Sequence, residues 1–373
     1  MVIQWRKAWI ADEGFESAGV FDVDGDGVPD IVSGAFWYKG PDFRRKYSVG
    51  PVRKEDEYYD DFSTIPMDVN GDGRLDFITG GWWGNTIRWR ENPGDAKKQW
   101  PEHVIAETGN VETTRAWDVD GDGAPELIPN TPGATEVAVF KLKTDGRGKG
   151  TGAFEKHVVH RFTGSMRQGH GLGCGDVAGN GRMDIVLAHG WLEAPANPWS
   201  GEWRYHADWS CGSASVPMLV VDVNGDGRNE IVVGQGHAYG LDWLERKGTK
   251  GDGGFEWTRH PIDPFNAQFH DLQWADLDGC GKPELVTGKR HRAHCGHEAG
   301  EWDDLGTYYF KWNGEGFTKQ VISYGPIGTG KGCGIHFALA DLRGTGRLDV
   351  VAPGKDGLYV FFNEGAGPDP VKG

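Results

Sequence analysis

The sequence predicts an all-β fold: a seven-bladed β-propeller of four-stranded blades, its ring closed by the N-terminal strand. Three observations point there. The pattern D-x-[DN]-x-D-G-x-x-[DE] occurs in seven copies, strong or weak, beginning at residues 22, 68, 118, 176, 222, 276 and 341. Neighbouring copies stand 46 to 65 residues apart, about the length of one propeller blade. Short β-branched and aromatic runs surround the copies, and no long stretch has helical periodicity.

The elements follow in order. Residues 3–10 read as a strand with no motif ahead of it. In each repeat an apolar run leads into the motif, as in Ala18-Gly19-Val20-Phe21. A second run follows it, as in Asp30-Ile31-Val32-Ser33. A third is aromatic, as in Thr86-Ile87-Arg88-Trp89, and a fourth alternates, as in residues 154–159. The last repeat has a third strand near Tyr359 and no room for a fourth. Residues 3–10 are expected to complete that blade and remove a sheet edge. A β-sandwich or a solenoid is the competing reading. The whole chain, 1–373, is expected to form this one domain.

Composition agrees. Sixty glycines suit many turns, and 17 tryptophans suit blade interfaces. No segment reads as a membrane span, and the first residues lack the features of a signal peptide. Five cysteines at 174, 211, 280, 295 and 333 are an odd number without framework spacing. Free thiols and a cytoplasmic, reducing compartment are therefore expected, although a trimmed secreted chain would read the same.

The acidic loops account for much of the formal net charge of −16. Carboxylates at alternate positions followed by Gly build the first half of an EF-hand loop, here with the last ligand at position nine. Four copies are complete: Asp22/Asp24/Asp26/Asp30, Asp68/Asn70/Asp72/Asp76, Asp118/Asp120/Asp122/Glu126 and Asp222/Asn224/Asp226/Glu230. The others lose ligands to Ala178, to Cys280, and to Arg343 and Thr345, and are expected to hold their turns by hydrogen bonds alone. This spacing resembles FG-GAP and VCBS repeats, along nearly the whole chain. The resemblance implies a structural Ca²⁺ in each complete loop. Four such ions would take the formal charge from −16 to −8. The acidity thus reads as metal sites and argues against a nucleic-acid partner. No membrane partner is expected, and the sequence is silent on oligomeric state.

If the acidic loop joins the first two strands of a blade, the start of strand one and the end of strand two meet at the opposite channel mouth. Residues five or six before each motif and those after strand two therefore converge. They include His170, His270, His336 and Arg115, then Trp82, Trp83, His189, His237, Tyr239, Lys289, Arg290, Arg292, His294 and Lys355. Histidines from three blades, His170, His270 and His336, are the expected ligands of a divalent transition metal, Zn²⁺ first, with an open position. His336 stands one residue out of step with the other two, which in a strand turns it to the other face unless a bulge intervenes. Trp82, Trp83 and Trp191 are candidate platforms for sugar rings, and Arg292 and Lys355 candidate partners for carboxylate or oxyanion groups of the substrate.

Three segments carry a closer resemblance: residues 169–176 continuing to Gly190-Trp191-Leu192-Glu193, residues 237–241, and residues 285–294 followed by Tyr308-Tyr309. They resemble the propeller domain of aldos-2-ulose dehydratase and its VCBS-repeat relatives. The resemblance implies metal-assisted β-elimination on a keto-sugar or keto-glycoside. A metal polarises the ketone, and His237, assisted by Tyr239, takes the adjacent proton, with His189 as second choice. Lys289, Arg290 and Arg115 would stabilise the enediolate, with His294 beside them. One alternative is a lyase of uronate polysaccharides, in which Arg115, Arg290 and Arg292 neutralise a carboxylate. The other is a non-catalytic glycan- or protein-binding propeller, with no transition metal and no need of the rim histidines.

Overall fold

The structure, a computed structural model, describes residues 2–367. Met1 and 368–373, the ends of the expected 1–373 domain, lie outside the described residues. Seven sheets of four antiparallel strands follow one another around a ring, as the repeat predicts. The first six blades open with Gly19–Phe21, Ile65–Met67, Thr113–Trp117, Leu172–Gly175, Leu219–Val221 and Phe269–Ala275. Blade seven opens with Ala338–Ala340, and Ile3–Ala11 pairs antiparallel with Leu358–Ala366 as its outer strand. Closure by the N-terminal strand thus places residues 3–11 and 358–366 in one sheet. A small hairpin, Lys54–Glu55 with Tyr58–Tyr59, stands between blades one and two.

The acidic motif sits between the first and second strands. Its first Asp holds the turn: Asp22 accepts hydrogen bonds from the N–H groups of Gly25 (2.8 Å), Asp26 (3.1 Å) and Gly27 (2.8 Å). Asp176, Asp276 and Asp341 do the same in the incomplete copies. The glycines at positions four and six have φ between 66° and 90° in all seven loops, where a Cβ is strained. The ninth residue points inward and is buried. Asp30 accepts from Val23 N–H at 2.9 Å and Gly40 N–H at 2.7 Å, tying the loop to the third strand.

The four complete loops are not equivalent. Carboxylate oxygens of Asp22, Asp24 and Asp30 lie within 4.8 Å of one another, as do those of Asp118, Asp120 and Asp122. Among the described residues, the carboxylates of blades two and five form no such group of three. There Asn70, Asp72 and Asn224, expected as ligands, also hold the turn. Asn70 Oδ1 accepts the Asp72 N–H at 3.1 Å, and Asn224 Oδ1 accepts the Asp226 N–H at 2.9 Å. Asn224 Nδ2 also donates to Glu230 at 3.4 Å, an oxygen that was expected to share an ion with it. Asp72 accepts the Arg74 N–H at 2.9 Å and pairs with the Arg74 guanidinium; Asp226 pairs with Arg228 in the same way. The physical reason is local. A neutral amide at position three lowers the repulsion within these two loops, and a half-exposed arginine two residues after position five supplies part of the counter-charge.

Third-strand aromatics fill the blades. Trp37, Trp89, Trp191 and Trp243 pair with Val32, Ile78, Val186 and Val232 at one register position. Each is at most 5 % exposed and stacks on a fourth-strand ring at 4.4–4.6 Å: Tyr47, His103, His206 and His260. Burying rings of this size is a main source of apolar stabilisation in the blades. Trp191 is therefore core and not a sugar platform; its Nε1–H is donated to Asp208 at 2.8 Å. All five cysteines are free thiols.

Candidate active site

Each first strand is entered by a residue six positions before the motif Asp. These are Glu16, Phe62, Glu112, His170, Val216, His270 and Ile335. The shared register brings them to one channel mouth, and three of the four polar ones meet. His270 Nε2 lies 2.9 Å and His170 Nε2 3.4 Å from Glu112 Oε1. His237, from the loop after Glu230–Gly234, completes the group with its Nε2 2.9 Å from His170 Nε2. Ligand atoms of Glu112, His170, His237 and His270 all lie within 4.8 Å of one another. Glu16, the fourth polar residue, binds Arg290 through two hydrogen bonds of 2.8 and 3.1 Å, and Arg290 Nη1 stands 3.8 Å from Glu112.

The tautomers follow from the partners. His170 Nδ1 lies 2.7 Å from the Ala214 carbonyl, which only accepts, so that nitrogen carries a proton. His237 Nδ1 lies 3.0 Å from Glu298 Oε2 and is likewise a donor. Two neutral rings so arranged aim their Nε2 lone pairs at each other across 2.9 Å. A cation, a proton or a metal, has to stand there. Burial favours neutral His237 and holds it below its usual value; the same is true, more strongly, of His270. His170 is raised: burial opposes its charge, but Glu112 outweighs it. Glu112 is held well below the usual carboxylate range, because His170 and His270 overcome its burial. An Nε2 proton on His270 facing Glu112 would be displaced by a metal, as ligand protons are.

The donor set fits a first-row divalent ion: three imidazoles, one carboxylate and an open face. Glu112, His170 and His237 line a cavity of about 420 Å³, while His270 sits behind it, fully buried. Tyr58, Phe62, Trp82 and Trp83 supply its aromatic wall, and Arg290, His294 and Glu298 another side. Trp83 is braced by Tyr58 at 4.9 Å and by Phe62 at 6.0 Å between centroids. Glu298 reaches two rings, accepting from His237 Nδ1 and pairing with His294 Nδ1. His294 stacks on His237 at 4.3 Å and keeps half its side chain exposed.

Several expected site residues lie elsewhere. His336 is outside the cluster: its Nδ1 accepts the Thr64 N–H at 3.0 Å, because a shift of one residue turns it toward blade two. His189 bonds Tyr205 Oη and the Arg167 carbonyl, each at 2.7 Å, outside the cavity. Arg115 spans the channel to Asp271 (2.8 Å) and the carbonyls of Val216 and Ile335. Lys289 is fully buried, with its Nζ on Gln268 Oε1 at 3.1 Å. Tyr239 is exposed and donates to Asp303 at 2.6 Å. Arg292 pairs with Glu57 at 2.6 Å. Lys355 donates to the Arg292 carbonyl and lies 3.9 Å from the centre of the Tyr58 ring, supporting that ring without lining the cavity. Sequence reasoning missed Glu112, Glu16 and Glu298. The position-minus-six rule that found His170 and His270 also marks Glu112 and Glu16; nothing in the sequence marks Glu298.

A model of the FG-GAP-like repeat matches residues 68–128 and 222–287. The chain is a seven-bladed propeller carrying FG-GAP-like repeats. Among solved structures it is similar to BBS1N in complex with ARL6DN, at 11 % identity over 97 % of this chain and 98 % of that one, with a TM-score of 0.56. The exotype rhamnogalacturonan lyase YesX and the Bacillus licheniformis rhamnogalacturonan lyase PL11 each align at 15 % identity, over 96 % of this chain and 73 % of theirs, with a TM-score of 0.49. At these identities the likeness is one of fold. No curated protein matches the chain in sequence.

Proposed function

We propose that the protein is a carbohydrate lyase that eliminates water or an alcohol from a keto-sugar or keto-glycoside. A divalent transition metal would be held by Glu112, His170, His237 and His270. The observation that carries this reading is the pair of Nε2 atoms at 2.9 Å whose outer nitrogens are already committed as donors. When bound there, the ion would supply Lewis acidity to a substrate ketone at the cavity. His237 is thereby reassigned from base to ligand.

The base role passes to His294. Its Nδ1 pairs with Glu298, which leaves Nε2 with a lone pair beside the cavity. That nitrogen takes the proton next to the ketone. The C–H pair becomes the new C=C bond, the β C–O bond breaks, and the proton returns to the leaving oxygen. Trp82, Trp83, Tyr58 and Phe62 offer faces for the sugar ring. The three arginines required by a uronate substrate are each paired already: Arg115 with Asp271, Arg290 with Glu16, Arg292 with Glu57. This favours an uncharged sugar over a uronate chain.

The test combines metal analysis with an ultraviolet assay on keto-sugars. Wild type and His336→Ala are expected to carry one transition-metal ion per chain, and His270→Ala none. His294→Ala is expected to keep the ion and lose formation of the absorbing enone. A wild-type protein without the ion, or substrate consumed without an enone, would sink the proposal.

A further inference from the structure

The complete acidic loops differ further once the third strand is added. One third-strand residue stands opposite position nine of each motif, and register fixes which. Ile31 pairs with Tyr38, Leu127 with Phe140 and Leu285 with Phe310, so Lys39, Lys141 and Lys311 stand opposite Asp30, Glu126 and Glu284. In blades two, four and five the same register places Glu91, Glu193 and Glu245 there. Those glutamates turn to the fourth strand and pair with His103, His206 and His260 at 2.8–3.0 Å.

The lysines turn the other way, into the loops. Lys141 Nζ lies 2.5 Å from Asp120, 2.7 Å from Asp122 and 2.9 Å from Glu126. An ammonium has three donors, and here each meets one carboxylate of positions three, five and nine. Those are oxygens a Ca²⁺ would need within about 2.3–2.6 Å. Asp120 also accepts the Trp199 Nε1–H at 2.7 Å. In blade one Lys39 Nζ bonds Asp24 and, at 2.6 Å, Asp26. Gathered carboxylates repel and require a cation. In these blades the chain carries its own, and the acidic partners raise the lysine pKa in both.

We infer that Lys39 and Lys141 are tethered cations that take the place of Ca²⁺ in blades one and three, although both loops have the complete ligand sequence. The four-ion expectation therefore does not fit these two loops. Any Ca²⁺ is confined to blades two and five, where the competing cations, Arg74 and Arg228, lie in the loop itself with side chains 43 % and 49 % exposed. The wild-type count is thus at most two. The inference is independent of the transition-metal site, which lies at the opposite mouth.

Ca²⁺ bound per chain is measured by equilibrium dialysis on the full-length protein and on single variants. Lys39→Met and Lys141→Met are each expected to bind one ion more than wild type. Lys141→Arg keeps the cation and is expected to stay at the wild-type count. Lys311→Met is also expected to stay there, because Cys280 has replaced a ligand of that loop. Thermal melting with EGTA gives a second readout: Lys141→Met melts below wild type, and Ca²⁺ restores it. Four ions in the wild type, with one lost in Asp120→Asn, overturn the inference. So does a wild-type count in both methionine variants.

Discussion

Replacing Lys289 with Met separates a buried structural lysine from a catalytic one. The ammonium is fully buried, and its side-chain partner is the Gln268 carbonyl oxygen at 3.1 Å. Burial outweighs Asp303 and Glu301 and lowers its pKa from 10.5 to about 8. At about 1.4 kcal/mol per pH unit, keeping it charged in the fold costs about 3 kcal/mol at pH 7. Methionine is of similar length and removes that cost, but leaves Gln268 unpaired, a loss of about 1–3 kcal/mol. The net change at pH 7 is thus small and stabilising, about 1 kcal/mol. The pH dependence is the sharper readout. Because the folded-state pKa is depressed, the penalty is complete below about pH 8 and fades as pH rises toward 10.5. Wild type gains about 3 kcal/mol across that interval from this group, and Lys289→Met gains none. Urea unfolding of both proteins at about pH 7 and about pH 10 measures the difference. A gap between them that is the same at both pH values refutes the reasoning. A folded Lys289→Met protein without turnover would return the lysine to the chemistry.

Two further predictions concern residues that the sequence placed in the site. Trp191→Ala is expected to cost about 3–5 kcal/mol in urea unfolding, the range for a buried aromatic, whereas Trp83→Ala is expected to leave stability nearly unchanged and raise KM for the sugar. Arg115→Ala is expected to lower stability by about 1–3 kcal/mol, because the buried Asp271, its pKa pushed up to about 7 by burial, loses its partner and takes a proton, while the transition-metal content stays at the wild-type value.

The candidate site was partly legible because a propeller converts sequence spacing into position. Each motif fixes where a first strand begins, so a residue six places earlier arrives at the channel mouth in any blade. His170 and His270 were found this way. Glu112 stands at the same position, but one carboxylate among 55 acidic residues carries no distinguishing signal. His336 failed on the same rule: five places instead of six is the other face of a strand. Trp191 shares its register with Trp37, Trp89 and Trp243, so the repeat itself marked it as core. The loop between Lys289 and Leu305 obeys no such register. Which of its side chains would meet His237 depended on how the loop folds back, and His294 and Glu298 came from there.

By itself the sequence determined the architecture: seven repeats, four strands each and an N-terminal strand left over to close the ring. It did so because strand period, turn glycines and motif spacing are local properties that add up around a circle. Only the tertiary structure decided which charges meet. Arg115, Arg290 and Arg292 read as free cations in the sequence and are each paired with a carboxylate remote in the chain. Asn70, Asp72 and Asn224 fit a ligand pattern and also hold their own turns. Two other loops with the complete pattern receive a lysine that arrives from another strand. A charge is neutralised by whatever lies within a few ångströms, and that distance is set by the fold.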